Sequence, residues 1–352
     1  MVVSKIRIGV VFGGRSGEHE VSVLSARSVI GGLDPDRYEV IPLAITREGK
    51  WLAPGGARAA LEAGLAEGGT GSLAVLPGGE NALMALNGSA AEGGVPRLDV
   101  VFPVLHGPYG EDGTIQGLFE MAGIPYVGAG VAGSAVGMDK ALMKAVWASH
   151  GLPQLDWQVV LRGDLESRRD HVVASLLKRP GLPCFVKPAN LGSSVGINRA
   201  ATPHELETAL DHAAEYDRKL VVEESARQPR EIEVSVLGND RPEASVPGEI
   251  VHGREFYDYK SKYLNTEGQQ VLIPAPLSDE LTARIRQLAV QGYRALDLNG
   301  LSRVDFFLDP EDRIYLNEVN TMPGFTPVSM YARMWEKSGL SYSALLDRLV
   351  EL

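Results

Sequence analysis

Residues 6–12 read as a buried strand, and the pair Gly13-Gly14 leads on into a segment where Val23, Ala26, Ile30 and Leu33 recur at spacings of three and four. A strand that turns at glycines into an amphipathic helix is a βα unit. A chain that opens on one is committed to a sheet with helices laid over it. The alternation continues with strands at 40–45 and 99–105, a helix at 113–122 and a further strand at 124–127, so the first ~140 residues are expected to be doubly wound. Within this part, residues 53–95 turn rich in Ala and Gly. A helix is expected at 58–66 and a surface excursion over the rest. Residues 121–138 carry no charge but hold five glycines and Pro125, too broken for a membrane helix, and are read as buried turns.

From residue 140 the pattern changes. A helix at 140–150, strands at 184–187 and 196–199, a helix at 203–216 and a strand at 220–224 describe a second domain. Strands near 231–237 and 244–250, a polar stretch from His252 to Gln270, a helix at 279–296, strands at 303–308 and 313–319 and two closing helices complete the chain. A polar loop of that length inside a compact domain points to a lid.

The 352 residues are enough for two or three domains. With 34 Lys and Arg against 45 Asp and Glu, the formal net charge of −11 argues against nucleic acid or an anionic membrane as the main partner. Cys184 is the only cysteine, which excludes an intrachain disulfide and agrees with a reducing compartment. The N-terminal stretch shows no export signal, so a cytoplasmic location is expected.

The residues best suited to chemistry are Arg303-Val304-Asp305 and Asn317-Glu318-Val319-Asn320. In a hairpin with a four-residue loop at 310–313, Asp305 falls opposite Glu318 and Arg303 opposite Asn320, with all four side chains on one face. Carboxylates that close repel unless a cation lies between them, and Asp, Glu and Asn oxygens suit Mg²⁺ held against phosphate. Spacing alone leaves a solvated face, one residue out of this register, equally open. A second group is Phe185-Val186-Lys187-Pro188 followed by Gly192-Ser193-Ser194-Val195-Gly196, where a Gly/Ser loop could cover phosphates and a strand lysine neutralise them. The same five residues spell Gly-x-Ser-x-Gly, but a nucleophile elbow must lead into a helix and a strand follows here, so a serine hydrolase is rejected. Neither a P-loop nor a Gly-x-Gly-x-x-Gly turn is present. In the first βα turn Glu20 could grip an ammonium group or merely complement the helix dipole. The stretch from His106 to Gly113 faces the same sheet edge and could equally be a turn and a cap.

Taken in order, these segments resemble the D-alanine–D-alanine ligases, bacterial ATP-grasp enzymes of peptidoglycan precursor synthesis. The segments are Glu18-His19-Glu20-Val21-Ser22, His106 to Gly113, Met138-Asp139-Lys140, Val186-Lys187-Pro188 with 192–196, Tyr257 to Tyr263, Arg303-Val304-Asp305 and Asn317 to Gly324. The likeness spans nearly the whole chain except residues 53–95, and Ala332 stands where relatives commonly carry proline.

The resemblance implies an α/β fold in three parts: a doubly wound parallel-sheet domain at 1–138, then a two-part ATP-grasp α+β region at 139–222 and 223–352, with residues 252–270 as the lid. It implies ATP-dependent joining of two D-alanines through a D-alanyl phosphate. Lys140, Lys187, Ser194 and Lys262 would hold the phosphates, Glu223, Glu224 and Ala226 the adenine and Glu231 the ribose. Two Mg²⁺ ions, with Mn²⁺ as a substitute, would sit on Asp305, Glu318 and Asn320. Arg303 and the Gly324 N–H would stabilise the oxyanion. Glu20, with Ser193 and Tyr263, would hold the first substrate; Ser329 would meet the second substrate's carboxylate, with His106 also in contact with substrate. A homodimer is usual for such proteins. A ligase forming D-alanyl-D-lactate is a rival that Tyr263 opposes, since relatives of that kind carry histidine there. A regulatory protein that has lost turnover is opposed by the intact Arg303, Asp305, Glu318 and lysine set.

Overall fold

The computed structural model describes residues 4–67, 72–75, 83–86, 97–251 and 270–352. Strand β1 (Ile6–Gly13) lies between β2 (Tyr38–Ile45) and β6 (Val100–Pro103) and is parallel to both. Helix α1 (His19–Gly32) covers one face, turning Val23, Ala26 and Val29 onto Ile8, Val10 and Phe12. Helix α3 (Thr114–Ala122) sends Ile115 and Phe119 to a second core with Val11, Leu43 and Val101.

Two expectations for this region are corrected. Residues 53–95 are more than a surface excursion: β3 (Trp51–Leu52), β4 (Ser72–Val75) and β5 (Leu83–Leu86) add antiparallel strands, giving the order β5-β4-β3-β2-β1-β6. Helix α2 (Pro54–Ala63) buries Ala57 and Ala60. The stretch read as buried turns contains helix α4 (Val131–Met138). Its glycines lower helix propensity, but they allow contact: a Cβ on Gly133 would stand 2.7 Å from the Asp297 carbonyl.

Four antiparallel strands follow in the order β7-β10-β8-β9: β7 (Trp157–Leu161), β8 (Cys184–Pro188), β9 (Asn198–Ala200) and β10 (Lys219–Glu224). Helices α6 (Arg162–Lys178) and α7 (Pro203–Tyr216) close one face through Leu165, Leu176, Leu206 and Leu210. The third sheet runs β14-β13-β11-β15-β16, with β12 (Glu243–Ala244) beside β11: β11 (Arg230–Leu237), β13 (Gly248–Val251), β14 (Gln270–Leu272), β15 (Leu301–Leu308) and β16 (Ile314–Asn320). Helices α5 (Lys140–Ser149) and α8 (Asp279–Ala295) cover it with Met143, Trp147, Ile285, Leu288 and Tyr293.

The last two helices return to the beginning. Phe325, Tyr331 and Trp335 around α9 (Met330–Lys337) and Leu345, Leu346 and Leu349 on α10 (Tyr342–Glu351) complete the core that β1 and α1 began. A second tie joins the first part to the third sheet at Gly300. There φ is +69°, and a Cβ would come within 2.8 Å of the Gly128 backbone. Both conditions exclude a side chain, so Gly300→Ala should lower stability by about 2 kcal/mol or more. The midpoint of urea denaturation measures this; an unshifted midpoint would show that the close approach is not required.

Candidate active site

Strands β15 and β16 form the expected hairpin, with one difference. Leu308 pairs with Ile314, Phe307 with Tyr315 and Phe306 with Leu316; a bulge then shifts the register, so that Asp305 faces Glu318 and Arg303 faces Asn320. The loop is thus one residue longer than expected, and the bulge at Asn317 restores the anticipated pairing. The longer turn closes on Asp309, whose carboxylate accepts from the N–H groups of Glu311 and Arg313 and from the Arg313 guanidinium. The four polar side chains share one face. Arg303 grips Asp305 through two bonds of 2.7 and 2.6 Å, Asn320 donates to Asp305 at 3.0 Å, and Arg303 also lies 3.3 Å from Glu233.

A cationic wall stands opposite. Asp139 caps α5 by accepting from the N–H groups of Ala141 and Leu142, which places Lys140 at the start of that helix. The Lys140 ammonium donates to the Leu191 carbonyl at 2.7 Å and lies 3.8 Å from Glu318. Lys187, on β8, donates to Glu223 at 2.6 Å and reaches Asn317 at 3.4 Å. Asn317, which sequence reasoning did not single out as a site residue, reaches that lysine from the bulge. Burial alone would favour protonation of Glu223, but Lys144 and Lys187 outweigh it and hold the carboxyl below its usual range.

The corner between α1, β6 and the 321–325 loop requires a correction. Glu20 is half exposed and pairs with Arg47. Glu18, the residue just before α1, instead accepts from the Ser193 hydroxyl at 2.6 Å. Ser193 and Ser194 both adopt left-handed backbone, φ 54° and 59°, at the tip of the Gly/Ser loop. His106 braces the same corner. Its Nδ1 bonds the Met322 carbonyl at 2.9 Å and its Nε2 meets the Ser25 hydroxyl at 3.0 Å, so both ring nitrogens are engaged by protein. Glu111 ties the same loop, accepting from Gly107 N–H at 2.5 Å and Met322 N–H at 3.0 Å.

Burial, reinforced by the charge of Glu18, pushes the Glu111 carboxyl from an ordinary 4.5 up to about 8. The folded chain therefore keeps a proton that the unfolded chain releases, and this share of stability is complete below 4.5 and lost as pH rises to about 8. Accordingly, the melting temperature of the wild type should fall more steeply from pH 5 to 8 than that of Glu111→Gln. Parallel profiles would exclude Glu111 as the source.

Of the other expected residues, Ser329 precedes α9. Its hydroxyl accepts from the Thr326 N–H at 3.0 Å and lies 3.4 Å from where a Cβ on Gly324 would be. These two residues are therefore together. Glu223 is buried and turns its carboxylate inward to two lysines, Lys144 and Lys187. Glu224 is exposed and its N–H donates to the Asp156 carbonyl at 2.8 Å; Ala226 lies in the link to β11, on which Glu231 pairs with Phe307. Tyr263, Lys262 and residues 252–269 of the expected lid lie outside the described residues.

The donor chemistry fits Mg²⁺ shared with phosphate. Among the described residues no group of three or more His, Cys, Asp or Glu side chains could cage a metal alone. Two carboxylates and an amide on adjacent strands instead leave coordination positions for phosphate oxygens.

Two family models match the chain: "D-ala D-ala ligase N-terminus" over residues 7–129 and "D-ala D-ala ligase C-terminus" over residues 146–351. The chain belongs to the D-alanine–D-alanine ligase family. The D-alanine–D-alanine ligase of Natranaerobius thermophilus is 47% identical over 99% of this chain and 95% of its own length, and that of Heliobacterium modesticaldum is 50% identical over 99% and 94%. Among solved structures, the D-alanine–D-alanine ligase from Coxiella burnetii superposes with a TM-score of 0.84 at 35% identity, covering 99% of this chain and 94% of that one. VanG D-Ala:D-Ser ligase from Enterococcus faecalis gives 0.88 at 34%, covering 99% of both. The ATP-grasp fold expected from the sequence agrees with these ligase neighbours. No helix among the described residues is long and apolar enough to cross a membrane.

Proposed function

We propose that this chain joins two D-alanine molecules to D-alanyl-D-alanine in an ATP-dependent reaction that passes through D-alanyl phosphate. The observation that carries the reading is the pair of facing walls: Lys140 and Lys187 on one side, and Asp305, Glu318 and Asn320 on the other, with Lys140 3.8 Å from Glu318. Cations on one wall and metal-binding oxygens on the other suit a polyphosphate held with divalent metal. Lys140, Lys187 and Ser194 would hold phosphate oxygens. Asp305, Glu318 and Asn320 would hold two Mg²⁺ ions, or Mn²⁺ in their place, and such ions would supply charge neutralisation during phosphoryl transfer.

Within this reading Glu18 takes the place first given to Glu20, holding the first D-alanine's ammonium with Ser193. Its carboxylate approach is supported by the Ser193 bond of 2.6 Å. Arg303 and the Gly324 N–H would bear on the tetrahedral oxyanion, and Ser329 beside Gly324 would meet the second carboxylate. Glu224, Ala226 and Glu231 remain the adenine and ribose side of the proposal. Division at 138 and 222, a lid at 252–270 bringing Lys262 and Tyr263, a homodimer and a cytoplasmic location belong to the same reading and rest on the family resemblance.

The test is ADP release with D-alanine as acceptor, run beside D-serine and D-lactate, with products separated by mass. D-alanine-dependent ADP release with D-alanyl-D-alanine as the main product is expected. Release independent of D-alanine, or a preference for either other acceptor, would refute the assignment.

A further inference from the structure

Lys144 lies one turn after Lys140 on α5 and is the more deeply buried of the two, with 1% of its side chain exposed. Its ammonium rests on one oxygen of Glu223, and the ammonium of Lys187 takes the other oxygen at 2.6 Å. One buried carboxylate is thus shared by two lysines. Of these two lysines it is Lys187 that bonds on to the facing sheet, through Asn317 at 3.4 Å, and 10% of its side chain remains exposed. Were Lys187 the sole partner of Glu223, the two would form a neutral pair closed on itself, and turning the ammonium to an anion would uncover a buried carboxylate. With Lys144 in place, Glu223 already has a counter-ion, and the surplus positive charge of the trio falls at the end that opens to the cleft.

We propose that Lys144 is a positioning residue for nucleotide: by neutralising Glu223 from behind, it releases the charge of Lys187 for the phosphates. The inference rests on the phosphate role of Lys187 in the function proposed above. It makes a specific demand. Removing Lys144 should weaken binding of the phosphates and leave binding of the nucleoside unchanged, because the trio becomes neutral while the adenine side is unaltered. Removing the charge of Glu223 as well should restore the surplus.

The experiment is calorimetric titration of the full chain with ATP in Mg²⁺ and, separately, with adenosine. Lys144→Met is expected to weaken ATP by about tenfold and adenosine by less than about twofold, as loss of a charge from a phosphate site requires. Lys144→Met with Glu223→Gln is expected to recover most of the ATP affinity. Unchanged ATP affinity in Lys144→Met, equal weakening of both ligands, or a double variant no better than the single one would each overturn the proposal. If Lys144→Met does not fold, the double variant decides alone: ATP affinity near wild type supports the proposal and a tenfold loss overturns it. Lys187→Met separates the two levels of argument. If it spares ATP, the phosphate reading is wrong; if it weakens ATP while Lys144→Met does not, only the role of Lys144 falls.

Discussion

Glu318→Gln is expected to lower turnover at limiting Mg²⁺ by about 100-fold or more, the scale seen when a transition-state charge loses one fixed partner. Asp305 and Glu318 stand directly opposite on adjacent strands, an arrangement that costs stability until cations intervene. Two such cations are side chains: Arg303 on Asp305 and Lys140 near Glu318. The variant loses a metal-facing charge yet relieves the repulsion, so its melting temperature should hold or rise while activity collapses. Raising Mg²⁺ should recover part of the rate. Turnover equal to wild type at limiting Mg²⁺ would remove Glu318 from the metal site.

The second large effect separates two carboxylates two residues apart. Glu18→Gln should reduce kcat/KM for D-alanine by about 100-fold, because a charged bond to an ammonium becomes a neutral one in a low-dielectric site. Glu20→Gln, which breaks only a half-exposed pair with Arg47, should stay within about twofold. Steady-state kinetics with ATP saturating measure both. The reverse ranking would return the ammonium role to Glu20.

The same pair shows where legibility ended. Both glutamates sit in one motif, and which one turns inward depends on where α1 begins. Residues two apart at a helix start point ~200° from each other, so a shift of one or two residues in the boundary exchanges inside for outside. The hairpin was legible because strand alternation is independent of loop length once two polar sets must share a face; the bulge at Asn317 absorbed the difference. Strand β7 and helix α6 were missed because α6 is rich in charge, shows little amphipathic periodicity, and is interrupted by non-helical backbone at Arg168. Helix α4 was hidden by the glycines that let it pack. Lys144 did carry a signal, its spacing of four from Lys140, which puts both on one helical face.

Helices α9 and α10 return to the core that β1 begins, and Tyr38 bonds Asp347, 309 positions further along, at 2.8 Å. A ribosome making this protein therefore releases β1 and α1 long before their packing partners exist. The early segment must wait with Val23, Ala26 and Val29 lacking their full cover until residues 325–349 emerge, when the two segments fold as one unit. Truncation at the C-terminus should consequently be felt first at the N-terminus, as protease cleavage within α1 rather than as loss of order in the third sheet.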